Sequence, residues 1–233
     1  MKRRKFLGFS SSLLGAAILG GCEQEPYFKD NSKITLPPFS TTRLHSRLDV
    51  LKNAYEAKEM HVSKTLRPPV SEPELKDKCR WFPGELVPEI VGLYGWHEGQ
   101  EKGAGEEKYP FWFRDNAFLN LKNAETAYQN IMTSYGLDPI DHLLLKYSFP
   151  FAAFNGAWYV IPTRKHPFGK GLERPVISVF QGIDVFFYSV ETMVNTCIDW
   201  VSHKKYAQNG SLPRDVEMAI WRKHNPSIFQ AGG

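Results

Sequence analysis

Residues 86–99 read LVPEIVGLYGWHEG, and this stretch organises the rest of the chain. Its apolar residues recur at the spacing of one helical face, and Pro88 suits a first helical turn, where its missing N–H would be unpaired anyway. Gly99 favours the left-handed conformation that ends many helices. The stretch therefore predicts a short buried helix of about three turns, with Ile90 and Leu93 in the core.

The same residues carry a family resemblance. A Leu-Pro-acidic start, a Leu-Tyr pair, then Trp-His and a closing Gly resemble the signature helix of the SUKH superfamily, the Smi/Knr-type domains. Glu98 stands where that family usually has Asn. The resemblance covers residues 72–203 and implies a binding module. Bacterial immunity proteins against contact-delivered toxins and fungal regulators of cell-wall synthesis are the known kinds of member.

The first 22 residues predict export and lipid anchoring. Arg3 and Arg4 lie in KRRKFL, which resembles a twin-arginine export motif, and the apolar run after it is too short to span a bilayer. The run ends in LGGC, which matches a bacterial lipobox whose cysteine, Cys22, receives the lipid. A cleaved signal peptide with a chance cysteine is the alternative. We expect a mature chain that begins at Cys22 and is anchored at the cell envelope, with the choice of membrane open.

Charge and motif content exclude several classes of function. The formal net charge is +4, but Lys2, Arg3, Arg4 and Lys5 supply all of it, so the mature chain is neutral. A neutral domain lacks the attraction to phosphates that drives nucleic-acid binding. The histidines form no zinc-helix pair, and neither a nucleophile elbow nor a phosphate-binding loop is present. The sequence predicts a non-catalytic protein with no metal and no cofactor.

The pattern of predicted elements favours an α+β fold, with a mostly antiparallel sheet, helices packed on it, and accessory helices at both ends. Helices are predicted at 41–60 (capped by Thr41 or Thr42), 71–82 (Ser71 with Glu74 as a capping box), 123–135, 189–201 (capped by Ser189) and from Pro213. Strands are predicted at 109–113, 118–121, 149–154, 157–161, 175–180 and 185–188. The domain plan is a signal peptide (1–21), a tether (22–40), an accessory helix and linker (41–70), a SUKH-like domain (71–206) and a C-terminal helix and tail (207–233).

The acidic segment, residues 98–108, is the predicted partner-binding surface. It holds four carboxylates among glycines: Glu98, Glu101, Glu106 and Glu107. Exposed carboxylates would speed the capture of a basic protein partner, and Trp112, if it faces solvent, would add an aromatic anchor. The alternative is an ordinary solvated loop. The partner is expected to be a toxin or an envelope protein, and the oligomeric state is left open.

Three further residues have structural interpretations. His97, at the end of the predicted helix, is expected to be a hydrogen-bonded packing residue. Cys79 and Cys197 lie on apolar stripes, which favours two buried thiols, although an exported protein could join them in a disulfide if they were adjacent.

The predicted function is an immunity protein. An envelope or cell-wall scaffold and an enzyme with an unrecognised site are the alternatives.

Overall fold

The computed structural model describes residues 36–101, 112–113, 116–134, 139–154, 156–164, 172, 174–180, 182–207, 211–226 and 228. These ranges contain seven α-helices, one 3-10 helix and five strands. The helices are α1 (Thr41–Glu56), the 3-10 helix Val62–Thr65, α2 (Glu72–Lys78), α3 (Pro88–Trp96), α4 (Leu121–Ser134), α5 (Pro139–Lys146), α6 (Val190–Ser202) and α7 (Arg214–His224). The strands are β1 (Ala117–Phe118), β2 (Ser148–Phe154), β3 (Ala157–Pro162), β4 (Val176–Val179) and β5 (Ile183–Phe187). The predicted α+β class is confirmed.

The five strands form one antiparallel sheet in the order β1-β2-β3-β4-β5. β2 and β3 form a hairpin, with Phe154 opposite Ala157. Gly156 has a φ of 83°, which the predicted tight hairpin turn requires.

The early strands are much shorter than predicted. Residues 109–111 lie outside the described residues, and β1 covers only Ala117 and Phe118. The expected strand at 118–121 is cut short because Asn120 begins α4: its side-chain oxygen accepts a hydrogen bond from the Asn123 N–H at 2.9 Å.

Helices cover both faces of the sheet. Along β3, Tyr159 and Ile161 join the main core with α1, α3 and α6, whereas Val160 belongs to a second cluster. This alternation follows from the pleat, which points successive side chains to opposite faces. The second cluster packs Val160 against Ile131 of α4 and against Leu144 and Leu145 of α5. Helix α5 is absent from the predicted elements.

The organising helix lies where the sequence places it. Ile90 and Leu93 are fully buried in α3, as predicted. The helix ends at Trp96, however, with His97 extended at its C-cap, so Gly99 does not end it. Gly99 has a φ of 78°, and a Cβ there would lie 2.4 Å from backbone atoms of Leu119. This glycine therefore permits two chain segments to cross at close range.

Helix α1 is an integral part of the main core. Its predicted stripe is fully buried and packs against α3 and α6: Leu44, Leu48, Leu51 and Tyr55. The predicted N-caps Thr41 and Thr42 are wrong. The N-cap is the preceding residue, Ser40, whose hydroxyl accepts a hydrogen bond from the Arg43 N–H at 3.3 Å.

Within the described ranges, no helix has the length and apolar content that crossing a bilayer requires.

The other two predicted caps have different outcomes. Ser189 forms a full capping box with Thr192 at the start of α6, as its sequence position predicts. Ser71 stands at the N-cap of α2, but its side chain makes no capping hydrogen bond. Glu74, the expected partner in that box, pairs instead with Lys78 one turn later, at 2.9 Å.

The residues just before α1 are packed on the domain. Leu36 contacts the cluster formed by Val185 and Tyr188, and Phe39 packs against the main core. The Arg43 guanidinium donates to the Pro38 carbonyl and forms a two-oxygen ion pair with Glu191 of α6. Residues 36–40, the last part of the predicted tether, are thus held against the fold.

Helix α7 covers the outer edge of β5. The Trp221 indole N–H donates to the Phe186 carbonyl at 3.1 Å, and the Asn225 side-chain oxygen accepts from the Tyr188 N–H at 3.1 Å. Asn225 is completely buried. These side chains take the place of a further strand at this edge.

Candidate partner-binding surface

Gln100 forms the base of the acidic segment. It is 2% exposed, and its backbone N–H donates to the Phe118 carbonyl at 2.7 Å. Its side-chain oxygen accepts two backbone N–H groups, from Trp112 at 3.0 Å and from Phe118 at 2.9 Å. Its amide nitrogen donates to the Thr65 hydroxyl at 2.9 Å. The buried Gln100 side chain therefore links residue 100 to the backbone of residue 112. The stretch that contains Glu101, Glu106 and Glu107 lies between these two residues in the sequence.

A second backbone segment reinforces this base. Residues 65–68 run antiparallel to residues 98–101. The Glu101 N–H donates to the Thr65 carbonyl at 2.7 Å, and the Arg67 N–H donates to the Gly99 carbonyl at 3.0 Å. Gln100 thus lies between this segment and β1. The Gln100 carbonyl accepts from the Asn120 side-chain amide at 3.3 Å, so both the backbone and the side chain of Gln100 have hydrogen-bond partners and its position is well determined.

Glu98 does not belong to an exposed acidic surface. The side chain is buried, with an oxygen 3.0 Å from Arg67 Nε and 4.0 Å from Lys78 Nζ. Its N–H donates to the Pro68 carbonyl, which places the side chain between the 65–68 segment and α2. The expectation that Glu98 faces solvent is wrong, and its carboxylate instead joins these two elements.

The other three carboxylates differ in what the structure describes. Glu101 is exposed, as the partner-binding prediction requires. Glu106 and Glu107 lie outside the described residues. The export residues Arg3 and Arg4 and the lipid-anchor residue Cys22 also lie outside them.

Trp112 does not meet its condition for an aromatic anchor. It is fully buried, with its ring centroid 5.0 Å from that of Trp96 and 5.7 Å from that of Tyr55. The Tyr55 hydroxyl donates to its carbonyl at 3.1 Å. The expected outward direction assumed a regular strand at 109–113, but Trp112 lies in a turn. Its buried ring therefore fixes residue 112, which follows the acidic segment in the sequence, in the core.

His97 is a packing residue, as predicted. Its Nδ1 lies 2.6 Å from the Arg67 carbonyl, and its ring meets the Trp96 ring edge-on at 4.3 Å between centroids. Burial lowers the pKa of His97, and the nearby Lys52 and His45 act in the same direction. The neutral ring thus helps to hold the 65–68 segment against the end of α3.

The two described cysteines are buried free thiols, so they form no disulfide with each other. Cys79 lies beside a shallow cavity of about 350 Å³ with a charged rim, and burial raises the pKa of its thiol to about 12. Such a thiol is protonated at neutral pH and is a weak nucleophile. Among the described residues, no group of three or more His, Cys, Asp or Glu side chains is placed to hold a metal ion.

No model of a known protein family matches this chain, and no curated protein is significantly similar to it. The resemblance to SUKH domains rests on the residues of α3 and on the order of the elements around it.

The central residue of this surface, Gln100, is absent from the sequence predictions. A single glutamine between Gly99 and Glu101 carries no periodic or motif signal. The nearest signal was Gly99 itself, whose close approach to Leu119 brings the two segments together.

Proposed function

We propose that this chain is a non-catalytic, membrane-anchored binding module of the SUKH type that acts as an immunity protein against a toxin at the bacterial envelope. The observation that carries the proposal is the leader, with Arg3, Arg4 and a lipobox ending at Cys22, ahead of a folded domain. A lipid-anchored domain with a charged segment on a fixed base suits the capture of a protein that arrives at the membrane.

The base around Gln100 supports a binding function. Recognition residues often lie on segments that a rigid scaffold positions, because the scaffold limits the entropy lost on binding. Here, the buried amide of Gln100 and the ring of Trp112 fix both ends of the stretch that contains Glu101, Glu106 and Glu107. Carboxylates presented in this way would accelerate the capture of a basic partner.

The lipid anchor is tested by metabolic labelling with palmitate. The unaltered chain should take up the label, and Cys22→Ser should abolish it and leave unprocessed precursor. Cys197→Ala is the matched control and should be labelled normally, since Cys197 is buried in α6. Unchanged labelling of Cys22→Ser would contradict the anchor.

The export route is tested separately. Replacing Arg3 and Arg4 together by Lys keeps the positive charge but removes the paired arginines that a twin-arginine signal requires. Export of the folded domain should stop. If export continues, the general secretory route carries this chain and the twin-arginine assignment is wrong.

The partner is tested with the purified product of the adjacent gene. Charge reversal of Glu101, Glu106 and Glu107 should slow association by about tenfold at low salt, and by less at high salt, because screening weakens the attraction. The control reverses three acids elsewhere on the surface, Glu72, Glu85 and Asp215, for the same change in net charge.

The outcomes of this experiment separate the candidate functions. Equal rates for the two triple variants would remove the acidic segment from the binding surface. A partner that builds the cell wall, in place of a secreted toxin, would favour the scaffold function over immunity.

A further inference from the structure

Tyr147 lies between α5 and β2, and its backbone is bonded to the residue that follows β3. The Tyr147 carbonyl accepts two hydrogen bonds from Thr163, one from the N–H at 2.8 Å and one from the hydroxyl at 3.0 Å. Ser148, the next residue, is opposite Pro162 in the sheet. These contacts fix the end of β3 beside Tyr147, so that Arg164, which follows Thr163, is placed next to the tyrosine ring.

Two positive side chains share this ring. Arg164 Cζ lies 3.6 Å from the centroid of the Tyr147 ring, and Lys146 Nζ lies 5.7 Å from the same point. The two charges are therefore no farther apart than the Debye length at 0.1 M salt, about 10 Å, so salt screens only part of their repulsion. The attraction of each cation to the electron-rich face of the ring offsets some of this cost.

The charge of these two side chains is not neutralised within the described part of the chain. Four arginines there form ion pairs with carboxylates: Arg43 with Glu191, Arg67 with Glu98, Arg80 with Asp77 and Arg174 with Glu89. No carboxylate of the described residues forms an ion pair with Arg164 or Lys146. Arg164 is exposed, so its guanidinium has a fixed position, access to solvent and no anion beside it.

Stacking leaves the hydrogen-bond donors of Arg164 available. The ring contacts the flat face of the guanidinium, whereas the N–H groups point outward in its plane. This planar fork matches the two oxygens of a carboxylate, which it can bind through two parallel hydrogen bonds. Because the ring already holds the side chain in place, less side-chain entropy is lost when an anion binds. Tyr and Arg are also enriched at protein–protein interfaces.

We propose that Arg164, Tyr147 and Lys146 form a binding site for a carboxylate on an acidic segment of a protein partner. Charge complementarity supports this ligand, because a carboxylate would neutralise two like charges that have no anion of their own. Nucleic acid is a less suitable source of the anion, since the chain beyond its four basic leader residues has no net charge. This site uses neither the acidic segment nor the lipid anchor of the proposed function, so it can be tested independently of both.

Fluorescence anisotropy with a synthetic peptide tests the site. The full chain, purified in a non-ionic detergent, is titrated into fluorescein-labelled hexaglutamate, and labelled hexaglutamine is the uncharged control peptide. Hexaglutamate should bind and hexaglutamine should not. Arg164→Gln should weaken binding by about tenfold, because it removes hydrogen bonds between charged groups. Arg47→Gln, at an exposed position on α1, changes the net charge equally and should leave the affinity unchanged.

A conservative substitution separates the stacked guanidinium from its charge. Arg164→Lys keeps the positive charge but removes the planar fork, so it should still weaken binding by about threefold or more. Lys146→Gln should weaken binding less than Arg164→Gln does, since a lysine supplies a charge without paired hydrogen bonds. Far-UV circular dichroism of each variant checks that the fold is retained.

Three results of these titrations would overturn the site. Absence of hexaglutamate binding would remove it altogether. Equal weakening by Arg164→Gln and Arg47→Gln would mean that the peptide responds only to the overall charge. Equal affinities of Arg164→Lys and the unaltered chain would remove the stacked guanidinium as the binding group.

Competition identifies the anion that the site prefers. Glutarate should displace hexaglutamate at a lower concentration than inorganic phosphate does, because the guanidinium fork is expected to bind a carboxylate. The reverse order would assign the site to a phosphate group, and would overturn an acidic protein segment as its ligand.

Discussion

The two edges of the sheet are protected in different ways. At the β5 edge, helix α7 lies alongside the strand, and Trp221 and Asn225 bond to the backbone of Phe186 and Tyr188. At the β1 edge, the strand is only two residues long, and one side chain, Gln100, accepts the N–H groups of Phe118 and Trp112. A helix therefore covers one edge, whereas a single residue, Gln100, completes the other through its side chain and its backbone N–H.

This difference bears on stability. An edge covered by a helix is closed to other strands and keeps the packing of that helix when one hydrogen bond is lost. At the β1 edge, the Gln100 side chain accepts two backbone N–H groups. The comparison predicts that stability depends most on Gln100 and less on its counterpart Asn225.

Gln100→Ala should have the largest effect. It leaves two buried backbone N–H groups without an acceptor, and each such group costs about 1–3 kcal/mol, so unfolding should become easier by about 2–6 kcal/mol. Urea denaturation of the chain without its leader measures this change. Gln129→Ala, on the exposed face of α4, is the control and should change stability by less than about 0.5 kcal/mol. Similar values for the two variants would contradict the role of Gln100.

Leu93→Ala measures the stability cost of truncating an ordinary core side chain, for comparison with the variants at the two edges. Leu93 is fully buried in α3, so its removal should cost about 2–5 kcal/mol in the same denaturation experiment. A cost below about 0.5 kcal/mol, the usual range for surface positions, would show that α3 does not organise the core.

Asn225→Ala tests the β5 edge. It leaves one backbone N–H, that of Tyr188, without an acceptor, so the expected cost is about 1–3 kcal/mol. Asn130→Ala, exposed on α4, is the matched control. The comparison between the edges fails if Asn225→Ala proves more costly than Gln100→Ala.

The smallest effect concerns the acid sensitivity of the α6–α7 contact. Burial alone would raise the pKa of Asp199, but hydrogen bonds from Lys223 at 2.7 Å and His224 at 2.8 Å outweigh it and lower the pKa. A carboxylate whose pKa is lowered by folding stabilises the fold above its unfolded-state pKa of about 3.9, and this stabilisation is lost as the pH falls below that value.

Asp199→Asn should therefore be less stable than the unaltered chain at pH 6 by less than about 1 kcal/mol, since the pair is partly solvated. The two should converge as the pH falls through 3.9 and below, which thermal unfolding over a pH series measures. Asp215→Asn, exposed at the start of α7, is the control. A constant difference between Asp199→Asn and the unaltered chain at all pH values would remove the ionised carboxylate as the cause.

Local patterns predicted much of the framework. The helical stripe of α1, the hairpin of β2 and β3, the Ser189 cap of α6 and the burial of Leu93 all follow from spacing within a few residues. Such features can be read from sequence because the interacting groups are neighbours along the chain. Helix α5 and the shortness of β1 were missed, the latter because Asn120 caps α4 where a strand was expected.

What the sequence by itself determined is therefore most of the helices and strands and the apolar residues that form the core. The tertiary structure alone decided which polar groups are buried. Gln100 bonds to residues 35, 12 and 18 positions away, and Glu98 to a residue 31 positions away. No local pattern encodes such contacts, because a glutamine or glutamate has the same local propensities whether it lies in solvent or is enclosed by distant segments. For that reason Glu98 was expected to face solvent and Trp112 was considered as an exposed anchor, although both side chains are buried.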